Sequence, residues 1–164
     1  MQSLIPLATE LAAQLKRRRE TVAVAESSAG GLIAAALLSV PGASAYFFGG
    51  AVIYTREARR ALMGITDDQM RGLRSSSEPY ASLLATTIRD KHGATWGLAE
   101  TGATGPTGNR YGDAAGHACI AVAGPHVSVQ TLETANADRQ ANMRAFARTA
   151  LKALLAAIEA APQV

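Results

Sequence analysis

Ser27 and Ser28 stand where a nucleophile or an anion cradle would be built. The run Val22-Ala23-Val24-Ala25-Glu26 reads as a short strand, and Gly30-Gly31 then opens an Ala/Leu/Ile helix. A strand, a tight turn and a helix start place a hydroxyl at a sheet's carboxyl edge. The first N–H groups of the helix there have no intrahelical partner, so they can receive an anion or a developing oxyanion. The same pattern also makes an ordinary helix start with a serine N-cap.

Two further groups have residue types suited to the same chemistry. In Gly50-Ala51-Val52-Ile53-Tyr54-Thr55-Arg56-Glu57-Ala58-Arg59-Arg60, a tyrosine ends a strand and arginines follow it. Such a pair can grip a substrate, or it can cover the core edge beside a solvated basic face. In Thr101-Gly102-Ala103-Thr104-Gly105-Pro106-Thr107-Gly108, glycines permit close backbone approach, and N–H groups with threonine hydroxyls can hold a phosphate. This loop fits neither the Walker nor the dinucleotide pattern, and a purely structural tight loop has the same composition. No His, Cys, Asp or Glu group has metal-ligand spacing, so neither a metal nor a cofactor is expected. His92 falls at a helix end and His117 within a strand, which suits structural or solvent-facing roles for both.

The elements that must position these residues follow from periodicity and punctuation. Leu4, Leu7, Leu11 and Leu15 recur at helical spacing and predict a helix over 3–19. A strand at 21–25 and an apolar helix at 30–39, stopped by Pro41-Gly42, come next. That helix is apolar all round, so it is expected to lie between the sheet and another layer or subunit. A strand at 50–55, a short helix at 66–73 and a longer one from Pro79 to His92 are expected. Strands at 94–100, 116–123 and 127–134 follow, the last two as a hairpin. Asp138 opens a final helix to Ala160, and the tail Pro162-Gln163-Val164 is expected to fray. The order implies a single three-layer α/β/α domain over residues 1–164, with a mixed, mostly parallel sheet and an antiparallel hairpin at one edge. Ligands of such sheets sit at the carboxyl ends of the strands, which is where all three polar turns fall.

Composition narrows the function classes. The chain has 164 residues, 48% hydrophobic and 18% charged, enough for one substantial core. Its net charge of +3 comes from scattered residues with few aromatics, which argues against a nucleic-acid groove. The Lys16-Arg17-Arg18-Arg19 cluster complements the dipole of the first helix. No apolar run has transmembrane length, and no signal-peptide order is visible at the N-terminus. The lone Cys119, expected to be buried, suits a reducing, cytoplasmic location. Only Lys16, Lys91 and Lys152 among the 16 basic residues are lysines.

With these groups in order along the chain, the sequence resembles the C-terminal domain of the competence/damage-inducible protein CinA, a family that includes bacterial nicotinamide mononucleotide deamidases. The family's E-S-C-T-G-G box corresponds to Glu26-Ser27-Ser28-Ala29-Gly30-Gly31, and its P-G-S-S-x-x-F segment to Pro41-Gly42-Ala43-Ser44-Ala45-Tyr46-Phe47. Its G-x-V-x-Y-S-N-x-x-K stretch is similar to Gly50-Ala51-Val52-Ile53-Tyr54-Thr55-Arg56-Glu57-Ala58-Arg59. The V-S-E-P start resembles Ser76-Ser77-Glu78-Pro79, and G-x-A-G-P-x-G resembles the loop Gly102–Gly108.

The resemblance implies a serine amidohydrolase with a serine–lysine dyad, converting nicotinamide mononucleotide to nicotinate mononucleotide and ammonia. It assigns the nucleophile to Ser27 and places Tyr54 and Arg59 beside it. Glu26, Ser28, Gly30, Gly31, Gly102, Thr104, Gly105 and Gly108 would then line the substrate, with N–H groups around Ala29–Gly31 facing the oxyanion and the loop taking phosphate or ribose. The lysine position holds Arg59, however, and arginine keeps its proton at physiological pH and cannot act as a base. Another base would have to come from Glu26, Tyr54 or Asp113. The alternative is an altered homologue that binds a phosphorylated small molecule. In either case the expected partner is a small nucleotide rather than nucleic acid or a membrane, and a homo-oligomer is expected from the apolar helix.

Overall fold

The computed structural model of the chain describes residues 1–162. After a short 3₁₀ turn, helix α1 (Ile5–Arg18) leads into β1 (Val22–Glu26), α2 (Leu32–Leu38) and β2 (Phe47–Val52). A one-turn α3 (Arg56–Ala58) continues as a π-helical turn over Arg59–Met63. Then come α4 (Glu78–His92), β3 (Trp96–Ala103), β4 (His117–Ala123), β5 (Ser128–Glu133) and α5 (Arg139–Ala160).

The five strands form one mixed sheet in the order β2-β1-β3-β4-β5. β1 is parallel to both β2 and β3, while β3, β4 and β5 are antiparallel in turn. The expected α/β fold, with its antiparallel hairpin at one edge, is therefore present. From β1 the chain crosses to β2 on one side, and from β2 it returns past β1 to β3. Right-handed crossovers then require α2 and α4 to lie on opposite faces. The cores agree: Ile33, Ala36 and Leu37 of α2 pack with α1 and α5 on one face, and Tyr80, Leu84 and Ile88 of α4 pack on the other. The chains leaving β1 and β2 thus diverge, and a crevice opens between their carboxyl ends.

Strand alternation decides which face is large and which is small. Val22, Val24, Trp96, Leu98, Ile120 and Val122 point towards α1, α2 and α5. Ala23, Ala25, Ala99, Cys119 and Ala121 point towards α4, so that helix sits close to the sheet. At Gly97 the approach is closest, because an added Cβ would fall 1.9 Å from the Ala85 carbonyl oxygen.

Several boundaries differ from expectation. β2 begins at Phe47 rather than 50 and ends at Val52, because its partner β1 sets the register from Val22↔Phe47 to Glu26↔Val52. α2 covers Leu32–Leu38 rather than 30–39, since Gly30 and Gly31 have positive φ and form the turn itself. The expected helix at 66–73 is absent, and turns replace it. Its start signal is real: Thr66 Oγ1 accepts from the Gln69 N–H while Gln69 Oε1 accepts from the Thr66 N–H. The helix does not propagate because arginines draw the Asp67 carboxylate away and Gly72 turns at φ +80. The fraying expected of the tail concerns Gln163 and Val164, which lie outside the described residues.

Candidate functional site

The turn after β1 is held between two buried carboxylates. Glu26 Oε2 accepts from the Gly31 and Ile33 N–H groups, and its Oε1 from Ala34, which caps α2 from within. Glu100, at the same edge on β3, accepts from the Ser27 N–H at 3.1 Å and the Ala29 N–H at 2.7 Å. The Gly30 N–H donates to the Ser27 carbonyl. This corrects the expectation of an oxyanion or phosphate cradle at Ala29–Gly31, because those donors already have acceptors inside the protein. Burial pushes the Glu26 carboxyl above its usual range, and the three N–H donors oppose the shift. Glu100, with no exposure, is pushed up to about 7 chiefly by burial, with Glu26 adding repulsion against the lowering effect of its N–H donors.

The two serines part company at this turn. Ser28 is buried and its hydroxyl donates to the Gly102 carbonyl at 2.6 Å. Ser27 instead lines a cavity of about 630 Å³ that opens between the ends of β1 and β2. Ile53, Tyr54 and Thr55 from the end of β2, Thr101 and Gly102 from β3, and Arg59 share that cavity with it. The 64–77 segment walls the far side with Asp67, Met70, Leu73, Arg74, Ser75 and Ser76.

Thr55 starts the segment that carries Arg59, its Oγ1 accepting from the Ala58 N–H at 3.0 Å. The π-helical turn then directs Arg59 inward, where its side chain is 8% exposed. Its Nη2 donates to Asp67 Oδ1 at 2.7 Å, and its Nε, also buried, has no partner. Tyr54 is 61% exposed, and its hydroxyl accepts from Arg139 Nη2 at 3.1 Å.

A second depression of about 260 Å³ adjoins the first, with Tyr54 and Gly102 belonging to both. Ser28, Thr104, Gly105, Gly108 and Arg139 line it, and Arg139 Nη1 also holds the Gly105 carbonyl at 2.7 Å. Of the residues singled out from sequence, Ser27, Tyr54, Arg59 and Gly102 therefore meet in one cavity. Ser28, Thr104, Gly105 and Gly108 meet in its neighbour. Glu26, Gly30 and Gly31 shape the turn and line neither cavity.

Two of the three candidate bases are committed elsewhere. Glu26 faces α2. Asp113 takes a two-armed contact from Arg74, at 2.6 and 3.0 Å, which with Asn109 and His117 holds its carboxyl below the usual range despite partial burial. His117 faces two acceptors, Glu133 through Nδ1 and the Ser76 carbonyl through Nε2 at 2.9 Å. Burial works against a charged ring there, but Glu133, Ser76 and Asp113 together raise its pKa above the ordinary histidine value. Ser76, buried at φ +56, is thus anchored to β4 by His117 and to β3 by Thr101 Oγ1. None of Lys16, Lys91 and Lys152 lines the described cavities.

Sequence reasoning missed Asp67, Arg74, Arg110, Tyr111 and Glu100. Arg110 and Arg74 lie 5.2 and 5.4 Å from the centre of the Tyr111 ring, and Arg110 lowers the pKa of the Tyr111 phenol. Asp67, Arg74, Arg110 and Tyr111 line the cavity, whereas Glu100 acts from beneath the 27–29 turn. For the two arginines, the excess of arginine over lysine in the chain was the one available hint. Among the described residues, no group of three or more His, Cys, Asp or Glu is placed to hold a metal ion.

Comparison with known proteins places this geometry among relatives. Residues 4–158 match the CinA C-terminal domain. A CinA-like protein of Prochlorococcus marinus is 41% identical over 120 residues, covering 73% of this chain and 28% of that protein. One of Desulfosudis oleivorans is 38% identical over 152 residues, covering 92% of this chain and 37% of its own length. The chain thus spans well under half the length of these curated relatives. Among solved structures, a CinA superfamily protein from Klebsiella pneumoniae superposes with a TM-score of 0.88 at 27% identity, over 95% of this chain and 98% of that one. The competence/damage-inducible protein CihA from Agrobacterium tumefaciens gives 0.86 at 28% identity, over 93% and 94%.

Proposed function

This chain belongs to the CinA C-terminal domain family, and from that premise we propose that it is an amidohydrolase of the nicotinamide-nucleotide type. Ser27 Oγ would attack the carboxamide carbon, and the tetrahedral adduct would collapse with loss of ammonia. Water would then release the carboxylate from the acyl-serine. The observation that carries this reading is the division of labour between the serines. Ser28 is tied to Gly102, whereas Ser27 faces a cavity that also holds Tyr54 and Arg59.

Arg59 cannot take the serine proton, so the reading assigns that role to Tyr54, the one candidate base that lines the cavity. Arg59, which lines the cavity, would then supply the positive charge facing the developing oxyanion, since the turn's own N–H groups are occupied. Incubating the purified chain with nicotinamide mononucleotide should release ammonia, and Ser27→Ala should lower the rate by roughly a hundredfold or more. Equal rates for the two proteins would remove Ser27 from the mechanism.

A second reading is binding of the nucleotide without turnover, favoured by the arginine in place of a titratable lysine. It predicts calorimetric binding of nicotinamide mononucleotide with no ammonia. In that case Arg59→Lys should create measurable release, because a desolvated lysine beside other cations can lose its proton near neutral pH.

A further inference from the structure

Ser76 is held in a backbone conformation that its side chain disfavours, and one of the bonds that hold it depends on a proton. Its φ of +56 lies in the left-handed region, where a residue with a Cβ persists only if its surroundings fix it there. The Ser76 N–H donates to Thr101 Oγ1 at 3.2 Å. Its carbonyl is approached by His117 Nε2 at 2.9 Å, Arg74 Nη1 at 3.3 Å and Cys119 Sγ at 3.6 Å. Arg74, Ser75 and Ser76 are wall residues of the larger cavity. Ser77 then caps α4, its Oγ accepting from the Tyr80 N–H at 3.4 Å. What fixes Ser76 therefore fixes both the cavity wall and the start of that helix.

His117 is the member of this set that can change. Its side chain is more than nine-tenths buried, and each ring nitrogen faces an acceptor, Nδ1 the Glu133 carboxylate and Nε2 the Ser76 carbonyl. A neutral imidazole has one N–H, so its other nitrogen would turn a lone pair on one of those oxygens. The imidazolium alone satisfies both. Its surroundings favour that form: Glu133 reaches the ring from β5, and Asp113, in the loop before β4, stands 3.8 Å from Nε2. Arg74 is matched to Asp113 by its two-armed contact. Cys119 Sγ lies 3.6 Å from Nε2 on the same strand, and burial pushes its thiol up. On α4, Glu78 accepts from Thr131 of β5 instead of facing the ring.

We propose that His117 is a positioning residue that works as a proton-operated latch: its imidazolium ties Ser76 and the cavity wall to β5, and its neutral form releases them. On loss of a proton the remaining N–H stays with the carboxylate, the stronger acceptor, and the Nε2 lone pair meets the Ser76 carbonyl. Burial opposes a charge on the ring, yet Glu133, Ser76 and Asp113 raise its pKa above the ordinary 6.5. The latch is therefore closed below that ordinary value and opens as pH rises through the higher folded one. His117 lines none of the described cavities, so it acts on the larger one through Ser76.

Two measurements on the full chain test the latch: NMR titration of the His117 ring, and amide hydrogen exchange at Ser76 and Tyr80 corrected for the intrinsic rate. As the ring loses its proton, protection of both amides should fall about tenfold or more, while Val24 in β1 stays protected. The two midpoints should coincide. Glu133→Gln, at a side chain exposed enough for the variant to fold, should move both midpoints to lower pH together. His117→Gln keeps a donor with nothing to titrate, so its protection should be level with pH. Tyr111→Phe should leave the step in place, although Tyr111 lines the cavity and Arg110 pulls its phenol below the usual range. A level wild-type profile, a step that survives His117→Gln or vanishes in Tyr111→Phe, or a ring midpoint that moves in Glu133→Gln without the step, overturns the latch. Exchange needs no ligand, so the result is separate from the test by ammonia release.

Discussion

Glu100 acts on this site without touching the cavity. It fixes the backbone of Ser27 and Ala29 from below, and its pKa stands near 7 while fully buried. In the unfolded chain the same carboxyl titrates near the ordinary glutamate value of 4.5. Between those values the folded protein holds the proton more tightly, so stability falls as pH rises from about 4.5 to about 7 and stays lower above. The gap corresponds to about 3 kcal/mol at most. Glu100→Gln keeps an oxygen for the two N–H groups but has no proton to lose. Urea unfolding across pH 4.5 to 8 should therefore show a falling wild-type curve and a flatter one for Glu100→Gln. Parallel curves would show that Glu100 does not set this dependence. Glu100 itself was not legible as a site residue, because nothing beside it in sequence says that its carboxyl faces the 27–29 turn, more than seventy residues away. Ser27 and Tyr54 were legible, since each follows closely on a strand end that periodicity and glycine placement locate, whereas Arg59 was singled out by the family pattern. Arg56 and Arg59 both replace other residues of the family pattern, and both turn towards Asp67.

The close packing of α4 on the sheet depends on the small face of the strands. Gly97 is its tightest point, with the Ala85 carbonyl where a methyl group would stand and the Arg89 Cβ at 2.8 Å. Backbone cannot swing aside as a side chain does, so Gly97→Ala should push α4 away from β3. The expected loss is about 3 kcal/mol or more, read from the midpoint of urea unfolding, with a matching loss of ligand binding because Ser76 and Ser77 precede α4. A variant as stable as the wild type would mean that the helix relaxes freely. The elements themselves were mostly legible, because leucine spacing and alternating strands act locally. The 66–73 segment was not. Its capping residues do form their reciprocal bonds, but the pull on Asp67 is a contact with α3 and its π-helical extension that no local pattern encodes. β2 was displaced for a related reason. The Gly49-Gly50 pair weakens any reading of a strand, and only pairing with β1 draws Phe47 and Phe48 into it.

For the whole molecule, the apolarity of α2 is absorbed largely within the chain. Its buried side chains meet α1 and α5, and Leu38 is the large residue of that helix left exposed. Phe48 and Val52 remain exposed on β2, a strand with one unpaired edge. On that ground we propose that copies of this chain associate, and light scattering should return a multiple of the monomer mass. A strict monomer at micromolar concentration would end that proposal. Among the described residues, no helix is long and apolar enough to cross a membrane.

The pair of inward-facing carboxylates around the serine turn has a wider consequence. Glu26 and Glu100 satisfy the turn's backbone without any help from the residues that face the cavity. The position of Ser27 is therefore independent of what surrounds its hydroxyl. A lysine can become an arginine, or a cysteine a serine, while the serine stays where it was. Such a frame lets the side chains that face the cavity be exchanged without rebuilding the fold beneath them.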